Sequence, residues 1–166
     1  VLEERTTTIA GFDVNIPVDT IVIATQNPEE FAGVDRISET LGDRFERVQI
    51  CYPNPEQEVQ ILRRYARKYR GVNFDDKLLP GVVKISQSTR NTEDISRPAS
   101  VRATIATFEQ AQAIAQLKGR DSVNQEDIAK AAIISLEGRV EVSPSSQYYE
   151  NPRDLFNQIV TKGLED

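Results

Sequence analysis

The 166 residues include no histidine and a single cysteine, Cys51. These scarcities remove whole classes of chemistry. A structural zinc site lacks ligands, no disulfide can close, and neither a His-dependent triad nor a Cys-His pair can be built. Cys51 ends the apolar stretch VQIC and is expected to be a buried packing thiol, not a nucleophile. Any catalysis must use carboxylates, Arg, Lys, Asn, Thr or Ser. No apolar run approaches the roughly 20 residues of a membrane span. The N-terminus, VLEERTTT, is acidic and polar where a secretory signal is basic and then apolar, so a cytoplasmic location is expected. Positive charge is also in deficit: 20 Lys and Arg stand against 26 Asp and Glu, a net charge of −6. That balance is the reverse of a general nucleic-acid binder's footprint. The one dense cationic stretch, RRYARKYR from Arg63 to Arg70, has helical spacing and reads as a solvated face.

What is present is an ordinary globular composition, 39% hydrophobic and 28% charged, in a chain of one domain or slightly more. Residues Thr6 to Ile16, TTTIAGFDVNI, read as two short strands around Gly11, ended by Pro17. TIVIAT, Thr20 to Thr25, has four consecutive apolar residues and predicts a strand covered on both faces, as in a parallel α/β sheet. FERVQICY, Phe45 to Tyr52, predicts another strand. Helical signals then take over. Asn54, Pro55 and Gln57 form a helix start, with Val59, Leu62, Tyr65, Ala66 and Tyr69 as its apolar stripe and Gly71 as its end. A second helix is predicted over Asp76 to Thr89 despite Pro80-Gly81. The longest runs from about Pro98 to Lys118, with Val101, Ile105, Phe108, Ala111, Ala115 and Leu117 on one side, and Gly119 stops it. Asn124 with Asp127 caps a further helix to about Leu136, which Gly138 ends. After VSPSS, the tail predicts a short helix with Leu155, Phe156, Ile159 and Val160 as its apolar face. No internal repeat is visible.

Several motifs, in order, resemble one family. TIVIATQNPEEFAG…ISETLGDRFERVQICYP is similar to the second half of an AAA+ ATPase core, in the MoxR and magnesium-chelatase I-subunit group. That group shows a strand ending in ATxNP, a short helix ending in LDRF, another strand, and a helical lid. Here the second motif reads LGDRF, Leu41 to Phe45, with Gly42 where the family often has Leu. RPASVRATIATFEQAQAIAQLKGRDSVNQEDIAKAA resembles the family's lid, including its G-R-D-x-V turn at Gly119 to Val123. The resemblance covers about residues 2 to 138. It implies an α/β fragment of a P-loop AAA+ core (residues 1–53, hairpin plus two strands), an all-α lid (54–142) and a tail (143–166). A phosphate-binding loop needs G-x-x-x-x-G-K-[ST], and none of the eight glycines is followed by Lys. No apolar strand ends in an Asp-Glu pair that would hold magnesium. Both motifs precede the hairpin in the family. The expectation is therefore a C-terminal piece of a longer ATPase, inactive by itself, with ATP and magnesium bound by the full-length protein and nothing tightly bound here.

The resemblance assigns roles residue by residue. Asn27 takes the sensor-one position, an uncharged amide facing the attacking water or the γ-phosphate; locally it also reads as a turn-capping Asn before Pro28. Arg44 takes the arginine-finger position, reaching a neighbouring subunit's nucleotide; locally it reads as a surface ion pair with Asp43 or Glu46. Arg102 matches sensor two and would contact the γ-phosphate; locally it is a helix-surface Arg. Asp43 is read as orienting Arg44 or contacting the adjoining subunit, Arg97 and Arg120 are lesser candidates, and Glu29 and Glu30 read as a solvated loop. The implied whole is a ring-forming homo-oligomeric ATPase that remodels proteins or drives metal insertion, often beside a von Willebrand A-domain partner. The alternative is a non-catalytic assembly or adaptor domain with lid-like helices. A DNA-remodelling role fits poorly, because the hairpin contains no Lys or Arg for phosphate contacts.

Overall fold

The computed structural model describes residues 6–8, 15–26 and 42–165. It separates into two compact units, Val1–Ile50 and Cys51–Asp166. In the first, β1 (Thr6–Thr8) and β2 (Asn15–Pro17) pair antiparallel with Thr7 opposite Ile16, which is the expected hairpin. Gly11 lies outside the described residues. The two predicted strands do not form. Residues 20–26 and 46–50 carry no regular secondary structure, and Ile21, Ile23 and Ile50 are 88%, 87% and 91% exposed. The physical reason is pairing. A strand is held by a ladder to a neighbour and by cover on its apolar face, and among the described residues no strand lies beside either segment. Cys51, expected in the interior, is exposed for the same reason.

The second unit is helical. In α1 (Pro55–Tyr65), Asn54 Oδ1 accepts from the Gln57 N–H at 2.8 Å and Gln57 Oε1 accepts from the Asn54 N–H at 3.0 Å, closing the expected capping box. The helix stops earlier than its stripe predicts. Ala66 turns extended, and the freed backbone is taken by another helix: the N–H groups of Arg67 and Tyr69 donate to Glu109 and Gln112 side chains at 2.9 and 3.0 Å. Leu62 and Ala66 are buried, whereas Tyr65 and Tyr69 are exposed. A 3₁₀ turn, Asp76–Leu78, capped by Asp75, leads into α2 (Leu79–Ser88). Pro80 sits in the first turn of α2, where its missing N–H removes no helical bond.

Helix α3 (Val101–Leu117) buries Ala103, Thr104, Thr107, Phe108, Ala111, Gln112 and Ala115. Leu117, expected on that face, is 88% exposed. The helix ends as its glycine predicts: Gly119 has φ +69°, its N–H donates to Gln116, and the Arg120 N–H reaches back to Ala115 at 2.9 Å, a Schellman close. Helix α4 (Gln125–Glu137) starts at the predicted Asn124–Asp127 capping box and packs along α3. Fully buried Ala103, Ala111 and Ala115 on one helix and Ala131 and Ala132 on the other supply small residues for that contact. Two short strands, β3 (Ile95–Arg97) and β4 (Glu141–Val142), pair antiparallel; at two and three residues they carry no periodicity to read. Helix α5 (Pro152–Leu164) buries Leu155, Phe156, Ile159 and Val160, the predicted face, against α2 and α4.

At its end α5 approaches α2 so closely that a Cβ on Gly163 would lie 2.6 Å from Ile85 Cγ1. Gly163→Ala gains about 1 kcal/mol of helix propensity and incurs overpacking of about 1–3 kcal/mol. The variant is expected to unfold at lower urea than the parent, and a raised midpoint would show that the two helices part freely there.

Candidate functional site

Three chain segments converge where α3 begins, and a buried charge organises them. Glu58 lies one turn before Leu62 and two before Ala66, so α1 carries a carboxylate on its buried face. An isolated buried carboxylate is costly unless it is paired and hydrogen-bonded. Glu58 is both. Arg90, just past the end of α2, binds it with two guanidinium nitrogens at 2.8 and 3.0 Å, and Thr104 in the second turn of α3 donates its hydroxyl at 2.5 Å. Arg90 Nε also donates to the Ala99 carbonyl at 3.0 Å, and its guanidinium lies 4.2 Å from the Tyr52 ring centroid. Thr89 completes the clamp. Its hydroxyl donates to Ser86 O and accepts the Ala99 N–H at 2.9 Å. Residue 99, directly before Ser100 at the N-cap of α3, is thus held through both its N–H and its C=O.

Arg102 stands on the first turn of this clamped helix. It is exposed, and its side chain has no hydrogen bond, ion pair or ring contact among the described residues. Ser100 makes no side-chain cap, so the first N–H groups of α3 lack that partner. A fixed cation beside the positive end of a helix suits an anion. The lesser candidates are committed elsewhere. Arg97 pairs with Glu141 at 2.5 Å across β3 and β4. Arg120 binds Asp127 with both terminal nitrogens, at 2.7 and 2.5 Å.

In the first unit, Arg44 is exposed on a turn closed by a Phe45 N–H to Gly42 O bond of 3.3 Å; the residue has an interaction of its own, and Asp43 beside it is exposed. A Cβ at Gly42 would lie 2.6 Å from Arg47 Nη2, the mobile tip of a long side chain that can move aside. Asn27, Glu29 and Glu30 lie outside the described residues. The residues that organise α3, Glu58 and Arg90, were not singled out from sequence. A carboxylate in register with Leu62 and Ala66 was the available signal for Glu58; nothing local marks Arg90.

The Asp127 cluster has a different purpose. Its carboxylate is fully buried, and burial pushes its pKa up. The bonds from Arg120, the Asn124 N–H and Lys118 outweigh this and hold the group at about 2, below its ordinary 3.8. A carboxylate depressed by folding stabilises fully above its unfolded pKa and loses that contribution as pH falls toward the folded one. Asp127 therefore contributes on the order of 2 kcal/mol near neutrality. Asp127→Asn should flatten the loss of stability between pH 4 and pH 2 seen by urea unfolding. An acid limb as steep as the parent's would remove Asp127 from the account.

Residues 87–159 match the AAA lid domain family. The chain is 28% identical to the uncharacterised protein YeaC of Bacillus subtilis over 169 residues, covering 89% of this chain and 53% of that protein. It is 29% identical to the chaperone MoxR1 of Mycobacterium tuberculosis over 190 residues, covering 96% of this chain and 50% of that one. A crystal structure of a candidate ATPase from Cytophaga hutchinsonii aligns with TM-score 0.48 at 24% identity, over 96% of this chain and 58% of its own. The helical part of the chain is thus similar to an AAA lid over residues 87–159. Its similarity to the MoxR1 chaperone extends over nearly the whole chain. It spans about half the length of the curated relatives it matches. Among the described residues, no helix is long and apolar enough to cross a membrane.

Proposed function

We propose that this chain supplies three phosphate-sensing groups to ATP hydrolysis in a ring-forming, MoxR-like homo-oligomer. Asn27 acts as sensor one, Arg44 as the arginine finger toward the neighbouring protomer, and Arg102 as sensor two on the lid. The observation that carries this reading is the state of Arg102. Of the four arginines at 90, 97, 102 and 120, it alone has a side chain without a partner among the described residues, and it stands on a helix start held by Arg90, Thr89 and Thr104. A cation kept solvated on a rigid support is pre-organised for an incoming anion. When a γ-phosphate reaches it, two parallel N–H donors of the planar guanidinium can hold two phosphate oxygens. Loss of that phosphate on hydrolysis removes the attraction, and the lid is released.

The residues fit the nucleotide's phosphate end and not its metal. Among the described residues no cluster of three His, Cys, Asp or Glu side chains stands ready for a cation. Magnesium and the phosphate-binding loop belong, in this reading, to another part of the polypeptide. ATP bound there supplies the bond that breaks, while this chain orients and neutralises. Arg44 neutralises charge on the phosphoryl group in transit, an effect worth ~10³–10⁵ in rate where GTPases use such a finger. Its exposure on a short turn suits a group acting in trans. The reading extends to protein remodelling or metal insertion in the cytoplasm, beside a von Willebrand A-domain partner.

The test is made in the complete polypeptide that contains this sequence. Arg44→Ala should reduce ATP turnover by at least about 10³-fold and leave nucleotide affinity near the parent's. Arg102→Ala should lower turnover and weaken the preference for ATP over ADP. Unchanged turnover in both variants would leave the lid as a non-catalytic assembly domain.

A further inference from the structure

We infer that Tyr52 and Arg90 form a positioning latch that couples the point where the chain enters the helical unit to the helix start bearing Arg102. The inference rests on the sensor-two reading of Arg102 and adds residues that reading does not contain. Tyr52 is the second residue of the helical unit, after Cys51, and precedes the Asn54 cap of α1 by two positions. The residue is about half exposed, yet its ring faces the Arg90 guanidinium at 4.2 Å. That guanidinium is otherwise inside the protein, with a side chain only 9% exposed.

Three of the guanidinium's nitrogens are engaged in the plane: Nη1 and Nη2 with Glu58, and Nε with the Ala99 carbonyl. Its in-plane donors fix the helix start, and its face is what remains for the linker. The division matters because a planar group cannot tilt at one edge and stay flat at the other. If Tyr52 moves, the stack is lost or the guanidinium tilts. A tilt strains the Ala99 bond, one residue before the N-cap of α3 and three before Arg102. Thr104 ties the next turn of α3 to the same carboxylate, so the helix start follows Glu58 and Arg90 as a body. Cation–π contacts of this kind are worth about 0.5–1 kcal/mol at exposed sites and about 2 when desolvated. That range holds a linker in one setting and still allows release.

Tyr52 thereby sets where Arg102 points without touching any phosphate itself. A displacement of about 1 Å at a group that must meet a reacting phosphate can change turnover by ~10²-fold. A latch two bonded groups away should account for a part of that.

The experiment uses the complete ATP-hydrolysing polypeptide and three single variants, Tyr52→Ala, Tyr52→Phe and Arg102→Ala, with the double Tyr52→Ala, Arg102→Ala. The half-exposed Tyr52 is chosen over Arg90 because its removal leaves the buried pair intact and the protein folded, which a melting curve checks. Tyr52→Ala should lower kcat about tenfold with KM for ATP within about twofold of the parent, and Tyr52→Phe, which keeps the ring face, should restore kcat. In the Arg102→Ala background, Tyr52→Ala should change kcat no further. If Arg102→Ala lowers kcat and Tyr52→Ala does not, or if the two losses multiply, the latch is wrong and the sensor-two reading survives. If Arg102→Ala leaves kcat unchanged, that reading fails and the latch with it.

Discussion

A carboxylate that water cannot reach sets the terms for this helical unit. Glu58 sits on the inner face of α1, and its two oxygens take a guanidinium and a hydroxyl from two other parts of the chain. Removing one partner from such a site leaves an uncompensated charge, at about 3–5 kcal/mol. The pairing is therefore close to all-or-none, and what is paired is the end of α2 and the beginning of α3. An apolar contact of the same area would let these ends slide; two oxygens and three nitrogens in fixed directions do not. We attribute the defined position of the first turn of α3 to this constraint.

The same chain shows what a cation does when it is used for structure alone. Arg120 and Lys118 are drawn onto Asp127, which doubles as the third residue of the α4 capping box. Arg97 is drawn onto Glu141. Each closes a local need, a helix start or a short strand pair, and is spent there. Arg102 has no such need beside it. On α3 its neighbours inward are Ala103 and Thr104, which are buried and satisfied, and its own charge faces water. Arg97 and Arg120 thus serve local structure, whereas the Arg102 side chain has no partner among the described residues.

Much of this was legible in the residues, and the limits have physical causes. Both capping boxes, the stop at Gly119, the apolar face of α5 and the β1–β2 hairpin are written in neighbours one to four apart, and all appear as expected. The end of α1 was misplaced because its competitor is remote: Gln112 and Glu109, 43 and 42 residues away, take the backbone groups that the next turn would have used. Leu117 was misplaced because the buried face of α3 is lined by Ala, Thr and Gln, which hydrophobicity underweights. TIVIAT and FERVQICY have strand composition without a ladder among the described residues. Of the proposed site, Arg44 and Arg102 are exposed on their own units, while Asn27 lies outside the described residues. Arg90 was invisible in advance because nothing next to it in sequence announces the carboxylate it serves.

We propose that the Glu58–Arg90 pair holds the start of α3 so that Arg102 meets a terminal phosphate. A crystal structure of the complete polypeptide that contains this sequence, with a non-hydrolysable ATP analogue, measures this directly. The account requires Arg102 nitrogens about 2.7–2.9 Å from γ-phosphate oxygens, with the Glu58–Arg90 bonds intact. An occupied nucleotide site with Arg102 still in bulk solvent, or with Glu58 and Arg90 separated, would contradict it.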